Sequence, residues 1–383
     1  MSLIRALRLV WVLLLFLTPT AFAVYPLSGV YINSDGSPLI PLIRAAQTTL
    51  DVEIYTMTDR LVRQEFRAAL ARRVRIRVVK DSTGNTVAAC NVFDPAPSPN
   101  PDCDDQKKLT TEIKKGGGAF VPFNQADFCG VRGEPCFQHG KMVIADGKVA
   151  MLSSGNFEPT SLCHLQANPA RCNRDYSVII SQPGLVVILN AVFEKDVLAK
   201  AYDLKSLLAS FPGAAQLTVS PLSLAPLLAF IRSARTSLII QNQYLHEPNI
   251  NSALREVAKR GVKVSINIAS PCAFGRPSAG EAQSFATIFK AFDEAGVESR
   301  MFTRRETIQG KPGYLHAKAI LVDSKTAWVG SVNGSTHAVS RNREFGLFFS
   351  DVRAVRVLED RMVADFRSEN GETWQEGLRC LRD

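Results

Sequence analysis

The chain has 383 residues, a mass of 42.0 kDa and a formal net charge of +9 at pH 7. Hydrophobic residues make up 46% and charged residues 21%, ordinary globular usage that excludes a disordered, collagenous or low-complexity chain. The length predicts two domains, and the basic surface predicts an anionic counterpart: nucleic acid, acidic lipid headgroups or a phosphate-bearing substrate.

Residues 1–23 carry Arg5 and Arg8, the apolar run Leu9–Leu17, and the small-x-small triplet Ala21-Phe22-Ala23. That is the layout of a secretory signal peptide, and the run is short for a membrane span. The expectation is a secreted or periplasmic protein after cleavage behind Ala23; an uncleaved N-terminal anchor is the alternative. All eight cysteines follow Ala23, an even count that favours disulfides in an exported chain. Close spacing predicts Cys90–Cys103, Cys129–Cys136 and Cys163–Cys172, with Cys272–Cys380 left by elimination. With no C-x-x-C spacing and few histidines nearby, no zinc or other metal site is expected.

The chain repeats itself. Ile43-Arg44-Ala45-Ala46-Gln47-Thr48-Thr49-Leu50 returns as Ile231-Arg232-Ser233-Ala234-Arg235-Thr236-Ser237-Leu238, 188 positions later. Val74–Val78 returns at the same offset as Val262–Ile266, His139-Gly140-Lys141 returns 177 positions later as His316-Ala317-Lys318, and Asn173-Arg174-Asp175 returns 169 positions later as Asn342-Arg343-Glu344. The shrinking offset places extra loops in the first copy, where three of the cysteine pairs lie. Each copy reads as helix, strand (Leu50–Tyr55; Leu238–Gln243), helix (Arg60–Arg72; Ile250–Arg260) and alternating strand (Val74–Val79; Val262–Ile268), an α/β layered pattern. The copies divide as 24–212 and 213–383, where Pro212 and Gly213 punctuate the chain.

Chemistry-bearing residues gather in the second part of each copy. Copy one has His139-Gly140-Lys141, Asp146, Ser153-Ser154-Gly155-Asn156; copy two has His316-Ala317-Lys318, Asp323, Gly330-Ser331-Val332-Asn333. On a strand, His and Lys two residues apart share a face. Asp146-Gly147 predicts a two-residue hairpin that pairs 145 with 148 and sets Ser154 across from His139. The same register at Asp323-Ser324 sets Ser331 across from His316. Each copy then offers an imidazole, an ammonium, a hydroxyl and a carboxamide on one edge, with Asp146 and Asp323 structural at the turns. This set suits a phosphodiester: one imidazole as nucleophile, the other as general acid, and two lysines and two asparagines for the growing phosphoryl charge, with no cofactor. Asp175 and Glu344 are suited to orient a histidine through its other ring nitrogen.

The paired H-x-K-x4-D segments, each followed by a G/S-S-x-N element, resemble the phospholipase D superfamily over nearly all of the chain beyond residue 23. The resemblance implies two αβα-sandwich halves related by a pseudo-twofold axis, and a shared cleft holding both histidines. It also implies a phosphohistidine on His139 with His316 as general acid, and no obligatory metal. Two departures are Ser153, where the pattern usually has Gly, and Asp175, where a Glu is frequent. The expected activity is hydrolysis of phospholipid headgroup esters at a membrane surface, with transfer to alcohols, by a monomer. The alternative is an exported nuclease, favoured by charge but lacking an aromatic-interleaved stacking stretch. Ser154 and Ser331 are expected to contact substrate. The loop Phe128–Phe137 ahead of His139 would offer two phenylalanines to a lipid or pack them inward. His164, His246 and His337 lack motif partners, and His246 is the one expected nearest the cleft. Lys107-Lys108, Lys114-Lys115 and Arg304-Arg305 are read as solvated charges.

Overall fold

A computed structural model describes residues 29–82, 90–123 apart from 95 and 99, 136–165, 169–273 and 275–380. Residues 1–23, read above as a signal peptide, Cys129 with its predicted bond to Cys136, and Phe128 lie outside these residues. The strands are β1 (Gly29–Ile32), β2 (Thr49–Ile54), β3 (Arg75–Lys80), β4 (Ala119–Pro122), β5 (Lys141–Ala145), β6 (Val149–Ser153), β7 (Cys172–Arg174) and β8 (Tyr176–Ile180) in the first copy. The second copy supplies β9 (Leu217–Val219), β10 (Ser237–Asn242), β11 (Lys263–Ala269), β12 (Glu298–Phe302), β13 (Thr307–Ile308), β14 (Lys311–Leu315), β15 (Lys318–Val322), β16 (Thr326–Gly330) and β17 (Phe345–Phe349).

The duplication read from the sequence is a duplication of topology. One seven-stranded sheet runs β1-β8-β6-β5-β2-β3-β4, and the other, taken from its opposite edge, runs β9-β17-β16-β15-β10-β11-β12. In both, the β2-β3-β4 and β10-β11-β12 strands are parallel and the hairpin strands antiparallel. Parallel strands need helical crossovers, supplied by Arg60–Ala71 and Pro101–Lys115, and by Pro248–Lys259 and Ala279–Glu294. The first crossover helix opens on Asp59, whose carboxylate accepts from Val62 N at 3.0 Å, satisfying a free N–H of the first turn.

Three buried layers hold the molecule. One lies under the first sheet's outer helices and contains Val52, Phe66, Ile76 and Val143. Its equivalent in the second copy contains Leu238, Leu254, Val264 and Ile320. The third joins the copies: Met142, Leu152 and Val178 meet Ala319, Leu321 and Val329, together with Leu189 and Leu358 from the helices Pro183–Asp196 and Val352–Arg367. Strands such as β5 and β15 are therefore buried on both faces, which explains their unbroken apolar runs. The arginines of β3 divide as expected of a half-covered face: Arg75 is exposed, while Arg77 grips Asp51 and Glu194.

The hairpin register differs from the expected one by a residue. Asp146 and Gly147 both take positive φ (54° and 64°) and Lys148 N donates to Ala145 O at 2.9 Å, so the turn chemistry is as read. Lys148 is then thrown out of the ladder, and Ala145 pairs with Val149. Val322 pairs with Thr326 in the same way. Extended, this register sets Lys141 across from Ser153 and Lys318 across from Gly330. A bulge beside each turn absorbs the extra residue. Asp146 fixes the turn by accepting from the backbone N–H groups of Gln47, Thr48 and Thr49. Asp323 does the same for Arg235, Thr236 and Ser237. Cys90–Cys103, Cys163–Cys172 and Cys272–Cys380 are bonded.

Candidate active site

The two H-x-K segments are brought together by an exchange between copies. The short strand β7 runs parallel to β14, pairing Arg174 with Leu315, and His316 N donates to Arg174 O at 3.1 Å. On the other side Gln138 bridges to Arg343, and His139 N donates to Arg343 O at 2.9 Å. The residue following each arginine is an acid, so each acid meets the histidine of the other copy. Nδ1 of His139 lies 2.9 Å from Glu344 Oε2, and Nδ1 of His316 lies 2.9 Å from Asp175 Oδ1. Each histidine is thereby left with Nε2 for chemistry.

The arginines lock this exchange in place. Arg174 pairs with Asp365 on the second copy's last long helix at 2.8 and 3.1 Å. Arg343 pairs with Asp196 on the first copy's helix at the same two distances. All four side chains are buried. The Asn-Arg-acid repeat was visible in sequence, yet only its acid was read as functional; the repetition of the whole triplet was the signal for the rest. Its first member works too: Asn342 donates to Glu344 Oε1 at 3.1 Å, and Asn173 donates to Thr160 and Ser161, both at 3.2 Å.

Lys141 and Lys318 are fully buried, and each ammonium donates to the carbonyl of its own histidine. Burial lowers Lys141 to about 8 and Lys318 to about 7, against the pull of Glu344 and Asp175. Each lysine's charge also reaches the other copy's histidine, lowering it further. These cross-influences define one site rather than two. Burial, with Lys318, pushes His316 down to about 4; burial also lowers His139, opposed by Glu344. Burial tends to raise Asp175 and Glu344, but their histidine and lysine partners outweigh it and hold both below the usual carboxylate range.

Asn156 and Asn333 follow β6 and β16 and are nearly buried, each with a carbonyl oxygen that no donor among the described residues reaches. Ser154 and Ser331 occupy a different place from the one expected of substrate contacts. Both are fully buried. Ser154 Oγ donates to Asp175 Oδ1 at 2.7 Å and accepts from Tyr176 N at 2.9 Å. Ser331 accepts from Phe345 N at 3.0 Å and hydrogen-bonds Glu344. The one-residue bulge turns these hydroxyls toward the carboxylates, so they brace the acids from behind. Ser153 makes the local departure from glycine useful: its hydroxyl meets Ser177 at 2.9 Å and Asn33 at 3.3 Å. At Gly330 an added Cβ would lie 2.3 Å from Phe345 O.

Aromatic rings surround the histidines. Tyr55 sits 5.0 Å from the His139 ring with Phe137 edge-on to it at 6.2 Å, and Tyr314 lies 6.4 Å from the His316 ring. Lys141 and Arg171 lie over Tyr55 and Tyr314 at 5.5 and 5.2 Å. Neither tyrosine has a repeat partner of its own kind, so matching the two copies did not reveal them. Phe137 is half-buried here. His246 is exposed, stacked on Tyr244 at 6.0 Å, and His337 is exposed beside Arg341. Lys108, Lys114, Lys115, Arg304 and Arg305 are exposed. Among the described residues no cluster of three or more His, Cys, Asp or Glu side chains is arranged to hold a metal ion.

The family profile described as "Cardiolipin synthase, PLD-like domain" matches residues 39–197 and 227–366. Cardiolipin synthase A of Pseudomonas putida is 29% identical over 244 residues, which are 60% of this chain and 47% of that protein. Cardiolipin synthase A of Buchnera aphidicola subsp. Schizaphis graminum is 31% identical over 152 residues, 39% of this chain and 29% of its own length. The chain thus spans about half the length, or less, of these curated relatives. Among solved structures, phosphatidylserine synthase of Haemophilus influenzae Rd KW20 superposes with a TM-score of 0.62 at 15% identity, covering 91% of this chain and 88% of that one. Polyphosphate kinase of Porphyromonas gingivalis superposes with a TM-score of 0.56 at 12% identity, covering 86% and 45%. Both confirm the fold of two αβα halves. With both profile segments falling on the two sheets and each carrying its own H-x-K strand, the chain belongs to the phospholipase D-like family.

Proposed function

We propose that this protein breaks phosphodiester bonds of phospholipid headgroups through a covalent phosphohistidine, passing the phosphatidyl group to water or to an alcohol. The observation that carries the reading is the reciprocal placement of two imidazoles. Each is anchored through Nδ1 by a buried carboxylate of the opposite copy, and two buried ammonium groups flank the pair. His139 Nε2 attacks phosphorus, the bond from phosphorus to the leaving oxygen breaks, and a protonated His316 hands its proton to that oxygen. The anionic substrate raises His316 from its low value, so the proton arrives with the substrate. Water or an alcohol then attacks phosphorus, giving its proton back to His316, and His139 leaves. Glu344 stabilises the positive charge that His139 acquires on bonding to phosphorus. Lys141, Lys318 and the amides of Asn156 and Asn333 stabilise the phosphoryl oxygens. Both histidines come from one chain, so a monomer carries a complete site.

Similarity to cardiolipin synthases supports phospholipid as the substrate class. The disulfides, together with the leader, support export to an oxidising compartment, secreted or periplasmic. The test offers the purified protein, in chelator, phospholipid vesicles with and without glycerol, and single-stranded DNA separately. Headgroup release with intact DNA is expected. DNA cleavage without headgroup release would instead favour the nuclease reading. His139→Ala and His316→Ala should each remove most turnover, with a trapped phosphoryl adduct on His139. Finding the adduct on His316 would reverse the assigned roles.

A further inference from the structure

The pseudo-twofold repeat contains a chemical mismatch that neither copy explains alone. Glu53 on β2 and Gln241 on β10 are equivalent positions, 188 residues apart, and both are completely buried. Gln241 accepts from Tyr176 OH at 2.6 Å and donates through Nε2 to Asp365 Oδ2 at 3.1 Å, the carboxylate already paired with Arg174. At the related place Glu53 accepts from Gln138 Nε2 and faces Asp196, the carboxylate paired with Arg343. Where the second copy sets an amide N–H against a carboxylate, the first sets one carboxyl against another. As two anions they would share a single guanidinium, and Glu53 Oε1 would have no donor among the described residues. A proton on Oε1 restores the missing donor and reproduces the Gln241–Asp365 bond.

This cluster adjoins the reacting histidine. Gln138 bridges Glu53 and the backbone, its Oε1 accepting from Gly140 N at 2.6 Å. Arg343 presents its carbonyl to His139 N at 2.9 Å while its guanidinium serves Asp196. The two groups that respond to the charge on Glu53 are thus the ones flanking the His139 backbone.

We propose that Glu53 is a neutral carboxyl standing in for an amide, that it is a positioning residue for His139, and that loss of its proton loosens the site at alkaline pH. The proposal rests on the reading of His139 as a reacting group. Burial, reinforced by Asp196 and opposed by Arg343, holds the Glu53 carboxyl well above the ordinary range. The charged and titratable groups facing it are Asp196 and Tyr202 from the helix side and Arg343 from the other copy. Asp51 with Arg77 and Glu194 lies along its own strand face, and Asp81, at the end of β3, accepts from Gln138 N.

The test compares the full chain, disulfides intact, with E53Q and E53A. The first arm reads urea unfolding from pH 5 to pH 9 without substrate. A carboxyl whose folded pKa lies above its unfolded one binds more protons in the native state between the two values. Wild-type stability must therefore fall relative to E53Q as pH rises. The expected ratio of folding constants, wild type to E53Q, drops up to about tenfold per pH unit across that interval. Parallel curves would mean Glu53 is ionised throughout and would overturn the proposal. The second arm reads turnover of a soluble aryl phosphodiester. E53Q should hold its rate to higher pH than wild type, while E53A loses at least about tenfold at every pH. Alkaline limbs that coincide for wild type and E53Q would overturn the positioning role, because Lys141 and Lys318 contribute equally to both. Absence of turnover in every variant would count against the assigned reaction, and the unfolding arm would still decide the protonation state.

Discussion

Because each histidine is served by an acid of the opposite copy, D175N and E344Q should separate the two chemical roles. Each substitution replaces a charge-assisted 2.9 Å contact to a buried imidazole by a neutral one. Such a bond contributes about 1.5–3 kcal/mol, or a rate factor of roughly 10–150 at about 1.4 kcal/mol per decade. For E344Q the loss should be independent of the leaving group, since the positive charge on His139 forms whichever alcohol departs. For D175N the loss should be large with an alkyl leaving group, which needs the proton held on His316. It should nearly vanish with p-nitrophenol, which departs without one. The assay is kcat/KM at pH 7 on an alkyl and a p-nitrophenyl phosphodiester of the same acid, with circular dichroism to confirm folding. Equal losses on both esters for D175N would refute the assignment. Leaving-group dependence in E344Q alone would place the acid on His139.

Other outcomes follow from the same geometry. With Lys318 near 7 and Lys141 near 8, both ammonium groups lose their charge as pH rises. Inhibition by dimethyl phosphate, whose own charge is constant, should therefore weaken at least roughly tenfold between pH 7 and pH 9; a flat inhibition constant would contradict the lowered values. Loop length ranks the disulfides: Cys272–Cys380 spans 108 residues and Cys163–Cys172 spans 9. Paired Cys→Ser changes should therefore lower unfolding free energy by about 5 and about 3 kcal/mol respectively, read by urea denaturation. D323A removes the acceptor of three backbone N–H groups and should lower stability by about 1–2 kcal/mol at pH 7. Burial tends to raise Asp323, but those N–H donors outweigh it and hold the group at about 2. The stability it contributes is full above the unfolded value near 3.9 and fades as pH falls toward 2, so the variant's deficit should shrink in acid.

The parts of the fold and site legible from sequence are those written in local spacing. His and Lys two apart, the apolar alternation of β3 and β11, and the turn at Asp146-Gly147 all concern neighbours in the chain. Each was placed to within a residue or two. The repeat then doubled each of them. What stayed hidden depends on contacts between distant segments. Nothing local says that Asp175 reaches His316 and not His139, because that follows from the parallel pairing of β7 with β14. The roles of Ser154 and Ser331 turned on one bulged residue, since slipping a strand by one position reverses which way every side chain points. Tyr55, Tyr314 and Glu53 were missed for a third reason: they occupy matched positions where the copies differ, and repeat-matching looks for agreement.

The exchange of acids between copies bears on how sequence changes in this protein should be interpreted. A damaging substitution near residue 175 is felt at the imidazole of position 316, and one near 344 at position 139. Assigning a loss-of-function variant to the nearest motif along the chain would blame the wrong imidazole, and grafting one copy from a homologue would bring its histidine without the carboxylate that serves it.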